Sequence, residues 1–139
     1  MFRRHSHRGF TLLELLVTIS IIGILMALAT VSFTTAQRNG RDSRRRGDVE
    51  NTRKALEQYY AINTEYPPDC TNAADLISVL PNGMPSDPKN SAPYVYNVIC
   101  STASYCICAT LEQADRGNAN ANDCSDMTAG DYFCAQSLQ

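Results

Sequence analysis

From Phe10 to Phe33 the chain runs for 24 residues with no proline and one ionisable side chain, Glu14. Coiled as an α-helix at 1.5 Å per residue, that run is about 36 Å long, enough to cross a hydrocarbon layer of about 30 Å with some tilt. Gly23 is its only weak helix former. A run of this kind commits the front of the chain to lipid or to other helices. The acid is the anomaly: at a helix centre it costs roughly 2.5–3.5 kcal/mol on insertion scales, and less near the interface. An acid in such a setting needs a partner.

The charge balance supports a chain that straddles two environments. The net charge of −2 conceals a basic front, +6 over residues 1–54, and an acidic back, −8 over residues 55–139. A nine-residue leader, MFRRHSHRG, carries Arg3, Arg4 and Arg8, and a second basic group, Arg38, Arg41, Arg44, Arg45 and Arg46, lies beyond the apolar run. Basic residues before an apolar helix favour a cytoplasmic start and an exported remainder, but basic residues on both sides leave orientation open on charge alone. The two histidines, His5 and His7, both precede the run, so no Ser-His-Asp or Cys-His arrangement fits in the body of the chain. No HExxH, GxxxxGK[ST] or GxGxxG occurs either. The sequence gives no reason to expect an enzyme.

Three readings of the front compete. A secretory signal would be cut after Ala29 in Ala27-Leu28-Ala29, but Phe10–Met26 is 17 apolar residues, longer than the usual h-region, and contains Glu14. A plain membrane anchor explains the run and not the acid. The third reading rests on Arg8-Gly9-Phe10-Thr11-Leu12-Leu13-Glu14-Leu15-Leu16-Val17, which closely resembles the processing signal of type IV prepilins and pseudopilins. The resemblance implies cleavage between Gly9 and Phe10 by a membrane prepilin peptidase, methylation of Phe10 as the new N-terminus, and pairing of Glu14 with the Phe10 ammonium of a neighbouring subunit. A charge pair in an apolar bundle would set register, the best-attested role of buried polar groups in coiled coils.

Beyond the run, Arg41–Asn63 contains no proline, and Val49, Thr52, Leu56, Tyr59 and Tyr60 recur at the spacing of one buried helix face. Asp48, Glu50, Arg53, Lys54 and Glu57 fall opposite, with Glu50 and Lys54 spaced for an i,i+4 pair. Tyr66-Pro67-Pro68 should end the helix. A short helix is expected over Ala73–Leu80 with Leu76, Ile77 and Leu80 inward, then a loop from Asn82 to Pro88. Strands are expected at Tyr94–Val98, Ser104–Leu111 and Tyr132–Ala135. The order is α+β: a long N-terminal helix on a small antiparallel sheet. Tyr66-Pro67, Pro85-x-Asp87-Pro88 and Tyr94-x-Tyr96 look like the major pseudopilins of type II secretion and their pilin relatives, and the resemblance covers residues 8 to about 111. Many relatives carry a proline within the apolar helix; Ala29-Thr30-Val31-Ser32 has none, which places any assembly-linked melting of this helix in doubt.

The six cysteines, Cys70, Cys100, Cys106, Cys108, Cys124 and Cys134, are an even set in a small polar region and point to disulfides made in an oxidising compartment. Without a CxxC pair or a nearby histidine, they do not read as zinc ligands. Six thiols allow 15 pairings; Cys106 and Cys108 share one strand face, so each should pair with a different segment. Cys70–Cys100 and a bridge from the 106/108 strand to Cys134 are the expected links. Asp123, Asp126 and Asp131 lie in a polar stretch from Gly117 onward that is read first as a solvated, disulfide-pinned loop. Its resemblance to the calcium loop of major pseudopilins makes these three the calcium ligands to test. The arginines of residues 38–46 read as solvated or lipid-facing, with DNA contact as the alternative a DNA-uptake filament would use.

The chain therefore reads as residues 1–9 cleaved as a leader, 10–33 the membrane and filament-core half of the helix, and 34–139 an exported domain that includes helix residues 34–63. The function implied is a structural filament subunit, of a pilus or a pseudopilus. It would assemble with identical or homologous subunits, through an inner-membrane platform and a cytoplasmic ATPase, since the chain has no nucleotide motif. A single membrane pass with a cytoplasmic leader would precede its place in a surface or periplasmic filament. The alternative is a membrane-anchored or secreted, disulfide-stapled binding domain that does not polymerise.

Overall fold

A computed structural model describes residues 9–70 and 79–138. Its first element, α1, is an uninterrupted helix over Leu12–Asn63. Thr11 caps it: the Thr11 hydroxyl accepts the backbone N–H of Glu14 at 3.2 Å. Thr11-x-x-Glu14 is thus the capping-box spacing, with an acid in the first turn where the helix dipole favours negative charge. At the other end Thr64 takes a positive φ of 61° and returns its N–H to the Tyr60 carbonyl, closing the helix with a left-handed residue.

Contacts divide the chain after Gln37. In the first unit the helix buries nothing: Leu12 is 88% and Phe33 64% exposed, and no residue from Gly9 to Gln37 is even half-buried. Five of its hydroxyls are satisfied within the helix: Thr18, Ser20, Thr30, Thr34 and Thr35 each donate to a carbonyl three or four residues back. By length and composition this helix is able to cross a membrane.

The second unit, from Arg38 on, sets the rest of α1 against a three-stranded antiparallel sheet of order β1-β2-β3, formed by β1 (Asn97–Ser101), β2 (Ser104–Thr110) and β3 (Tyr132–Gln136). Strand β2 is central and its residues Tyr105 to Ala109 are all buried. One face, Tyr105, Ile107 and Ala109, packs with Val49 and Leu56 of α1 and with Tyr66. The other, Cys106 and Cys108, lies under Ala119, Cys124 and Cys134. The second layer exists because the 117–131 segment crosses over it. Gly117 and Gly130 allow that crossing: a Cβ on Gly117 would fall 1.9 Å from the Tyr132 carbonyl oxygen, and one on Gly130 2.6 Å from that of Ala119. Asn118 completes the join as a side-chain substitute for a strand, its amide donating to the Cys134 carbonyl at 2.9 Å and accepting the Cys134 N–H at 2.7 Å.

The expected helix end and two of the three strands appear. The first strand lies three residues later than expected, at Asn97 to Ser101 rather than Tyr94–Val98. The tight turn between Ser101 and Ser104 sets the register, while Tyr94 is drawn onto the guanidinium of Arg45, 4.6 Å from its ring centre. Glu50 pairs with Arg53 at 2.8 Å instead of with Lys54. Val49, Thr52 and Leu56 form the inward face, and Tyr60 flanks it. Most of the helix expected at Ala73–Leu80, including Leu76 and Ile77, lies outside the described residues; Leu80 is half-buried against the core.

Leu56 is fully buried where α1 meets the sheet. Leu56→Ala is expected to lower the unfolding free energy by about 2–5 kcal/mol, the range for a large cavity-forming change. Chemical denaturation of the detergent-solubilised chain would measure it, and a loss under about 1 kcal/mol would show that α1 is not seated here.

Candidate functional site

The residues expected to be processed lie at the start of α1. Gly9 and Phe10 precede the helix, Phe10 is 84% exposed, and an added Cβ on Gly9 would meet nothing within 4 Å. The peptide between them thus lies outside the helix, between two exposed residues. Residues 1–8 of the nine-residue leader lie outside the described residues. Glu14, one turn further on, is exposed on an otherwise apolar helix surface.

The second feature was not anticipated. Arg45, expected at the surface, is 0% exposed. Its guanidinium meets Asp87 through two parallel bonds, Nε–Oδ2 at 2.6 Å and Nη2–Oδ1 at 3.0 Å, while Nη1 reaches Asp42 at 2.8 Å and Glu112 at 3.0 Å. Glu112 is gripped in turn by Arg41, at 2.6 and 2.8 Å, and by Lys89 at 3.0 Å. Asp42 also accepts the backbone N–H groups of Glu112 and Gln113, and Asp87 those of Lys89 and Asn90. The network thus ties α1 to the loop before β1 and to the segment after β2. It takes two arginines, Arg41 and Arg45, out of the surface cluster, which leaves less free cation there for a nucleic acid. The signals that announce it in sequence are Asp42, three residues before Arg45, and Asp87 beside a proline; neither has a spacing that marks a buried pair.

The electrostatics follow from the contacts. Burial would raise the Asp87 carboxyl, but the Arg45 fork and two backbone N–H groups outweigh it and hold the group below the usual range. The hydrogen bonds from Arg41, opposed by burial and assisted by Lys89 and Arg45, hold Glu112 far below it. At the other end of the sheet Glu57 accepts the hydroxyls of Tyr105 at 2.8 Å and Tyr66 at 3.2 Å. Burial first, then Glu57, pushes Tyr66 up to about 12, and the same causes raise Tyr105.

The cysteines are all paired, as Cys70–Cys100, Cys106–Cys124 and Cys108–Cys134. The two neighbours on β2 do pair with different segments. Asp123, Asp126 and Asp131 occupy three turns. Asp123 caps Ser125, Asp126 caps Thr128, and Asp131 accepts the Asp115 N–H. Ser125 and Thr128 hold the first two below the usual carboxylate range. Among the described residues no three carboxylates converge closely enough to share an ion; as folded, the set fits loop capping rather than a calcium cage of six to eight oxygens.

Removing the Arg45 side chain takes the shared cation from three carboxylates and leaves Asp42 and Asp87 with backbone donors alone. Arg45→Ala is expected to destabilise the domain by about 3–5 kcal/mol, read by denaturant unfolding, with the deficit shrinking in acid; equal deficits at neutral and acidic pH would contradict the assignment. Asp87 and Glu112 bind protons more weakly folded than unfolded. Their contribution is therefore complete above a pH of about 4 and is lost as pH falls through their depressed folded values. Tyr66 and Tyr105 act oppositely: their contribution holds below a pH of about 10 and is lost as pH rises through the raised folded values. A melting temperature that is flat between these limits and falls on both sides is the expected profile.

Comparison with known proteins agrees with this geometry. Residues 4–30 match the family described as the prokaryotic N-terminal methylation motif. The chain is 33% identical over 103 residues to the type IV wide pilus major component PilA4 of Thermus thermophilus, covering 73% of this chain and 72% of that protein. It is 32% identical over 88 residues to the type II secretion system core protein G of Pseudomonas aeruginosa, covering 63% and 61%. Over 65 residues it is 37% identical to the core protein G of Klebsiella michiganensis, covering 47% and 46%. On this motif and on the match over more than two thirds of both chains, the chain belongs to the type IV pilin and pseudopilin family, and its role is that of a structural subunit that assembles through its N-terminal helix.

Proposed function

We propose that the chain is made as a precursor, cut between Gly9 and Phe10 by a prepilin peptidase and methylated at Phe10. The helix then holds it in the membrane, leader inward and domain outward, until an assembly platform driven by a cytoplasmic ATPase moves it into a filament. The observation that carries this is the conjunction of an exposed Gly9-Phe10 pair just ahead of the helix with a helix whose apolar surface is exposed and interrupted by a single acid. Cleavage would create a new ammonium at Phe10, four residues before Glu14. The Phe10 of an adjacent subunit supplies the charge, and apolar packing with small residues such as Gly23 and Ala27 supplies the shape. The breadth of the match to the wide-pilus component favours a pilus over a secretion pseudopilus, which is the second reading.

Mass spectrometry of the mature protein from its host, or with a coexpressed prepilin peptidase, is expected to show an N-methylated chain starting at Phe10. A start at Thr30 or at Met1 would refute it. Glu14→Ala is expected to abolish filaments while leaving membrane insertion and cleavage intact; filaments at normal yield would remove Glu14 from assembly.

A further inference from the structure

On the face of β2 turned away from α1, two bridges lie against each other. The Cys108 sulfur, bonded to Cys134, is 3.6 Å from the Cys106 sulfur and 3.9 Å from that of Cys124, and those two are bonded to each other. Such separations are close to the roughly 3–3.5 Å of a pair of atoms poised to react. The bridges differ in access. Cys108 and Cys134 are 1% and 2% exposed, whereas Cys124 is half-buried. Cys106 and Cys124 both border an open cleft of about 320 Å³, walled by the hairpin between β1 and β2, by the Asp123–Ser125 turn and by the end of β3. Its short side chains, Ser101, Ser104 and Ser125 among them, leave room for a small reagent. A thiol in solution therefore meets the outer bridge and not the inner one.

We propose that this cleft is a thiol–disulfide exchange site for a dithiol or its disulfide, and that Cys106–Cys124 relays exchange to the Cys108–Cys134 bridge behind it. Exchange proceeds by attack of a thiolate on a disulfide sulfur, so access and proximity decide which bond is broken. A thiolate of the entering dithiol bonds to the Cys124 sulfur, and the Cys106–Cys124 bond breaks with its electron pair on Cys106. The dithiol's second thiolate then attacks its own mixed disulfide and releases Cys124. The dithiol has lost two electrons and two protons, and Cys106 and Cys124 have gained them. Cys124, as a thiolate, next attacks the Cys108 sulfur. A Cys108–Cys124 bond forms, the Cys108–Cys134 bond breaks, and Cys134 takes the electron pair and a proton, with no net oxidation. The new bridge again includes Cys124, the half-buried cysteine, so a second dithiol reaches it. Cys106 is the poorer relay although nearer, because two residues apart on one strand are about 6.6 Å apart, near the upper limit for a bridge. Run backwards with a disulfide oxidant, the same path installs the inner bridge through the outer one.

The test treats the full chain in detergent with limiting dithiothreitol, without denaturant, and traps free thiols with iodoacetamide at intervals. Peptide mass spectrometry then reads the bridges. Wild type is expected to pass through a species with Cys108 linked to Cys124 and with Cys106 and Cys134 alkylated. In Cys106→Ser/Cys124→Ser the relay is gone, and the inner bridge is expected to last about tenfold longer. Loosening of the fold by that double change would act the other way, so it cannot imitate the result. Cys106→Ser alone leaves Cys124 free and is expected to yield Cys108–Cys124 with no reductant added. Cys70–Cys100 serves as the internal reference: Cys100 also borders the cleft, but its bridge packs with the core on the opposite face of the sheet. Its lifetime is expected to be the same in wild type and double variant. An inner bridge lost as fast in the double variant as in wild type would overturn the proposal. So would the absence of Cys108–Cys124 from both wild type and Cys106→Ser, or an equal lengthening of the Cys70–Cys100 lifetime.

Discussion

Arg45 is the point on which the exported domain turns. A guanidinium fully removed from water is tolerable only when its donors are matched by acceptors held in place, and here three carboxylates from three separate segments do so. That arrangement explains why the loop around Asp87 and the segment at Glu112 follow paths that no regular hydrogen-bond ladder dictates. Each is fastened to α1 by charge and fastens the next: Glu112 carries Arg41 and Lys89, and Asp42 carries the backbone after β2. Substituting the cluster with apolar residues of similar volume often costs a fold little. Its value here is to specify one docking of sheet on helix.

The remainder of the domain is thin, and its construction shows it. A three-stranded sheet with one helix buries one face; the middle strand is buried on both because a disulfide-tied segment lies over the other. Cys106–Cys124 fastens that cover, and Cys108–Cys134 joins β2 to β3 beneath it. The third closes the loop that connects α1 to β1. For a domain whose longest apolar stretch is reserved for other molecules, covalent links replace the core it lacks.

Much of this was legible. The apolar run, the acid within it and the glycine ahead of it are local signals, and so is the alternation of β2, since each depends on residues that are neighbours in sequence. Disulfide partners followed in part from strand geometry, because Cys106 and Cys108 two residues apart must face the same way. The Arg45 network was not legible. Its members are separated by up to 71 residues, and a run of arginines beside a membrane segment looks the same whether its charges face water or carboxylates. The displaced first strand failed for the same reason: Tyr94 has strong strand propensity, but its ring serves the network, and hairpin register, not propensity, chose Asn97–Ser101. The Asp-rich stretch, read first as a solvated loop, does form one, with Asp123 and Asp126 bonded to residues two further on.

The hydroxyls of the first unit carry a consequence for how such a helix changes surroundings. Because Thr18, Ser20, Thr30, Thr34 and Thr35 all bond to their own backbone, none asks anything of whatever lies outside. Acyl chains and the side chains of sister helices are then nearly equivalent solvents for this surface. Moving from one to the other need break none of these five hydrogen bonds, and Glu14 is the one ionisable group of the run that distinguishes the two. A single ionised group thus acts as the sensor of arrival, on a rod otherwise indifferent to its company.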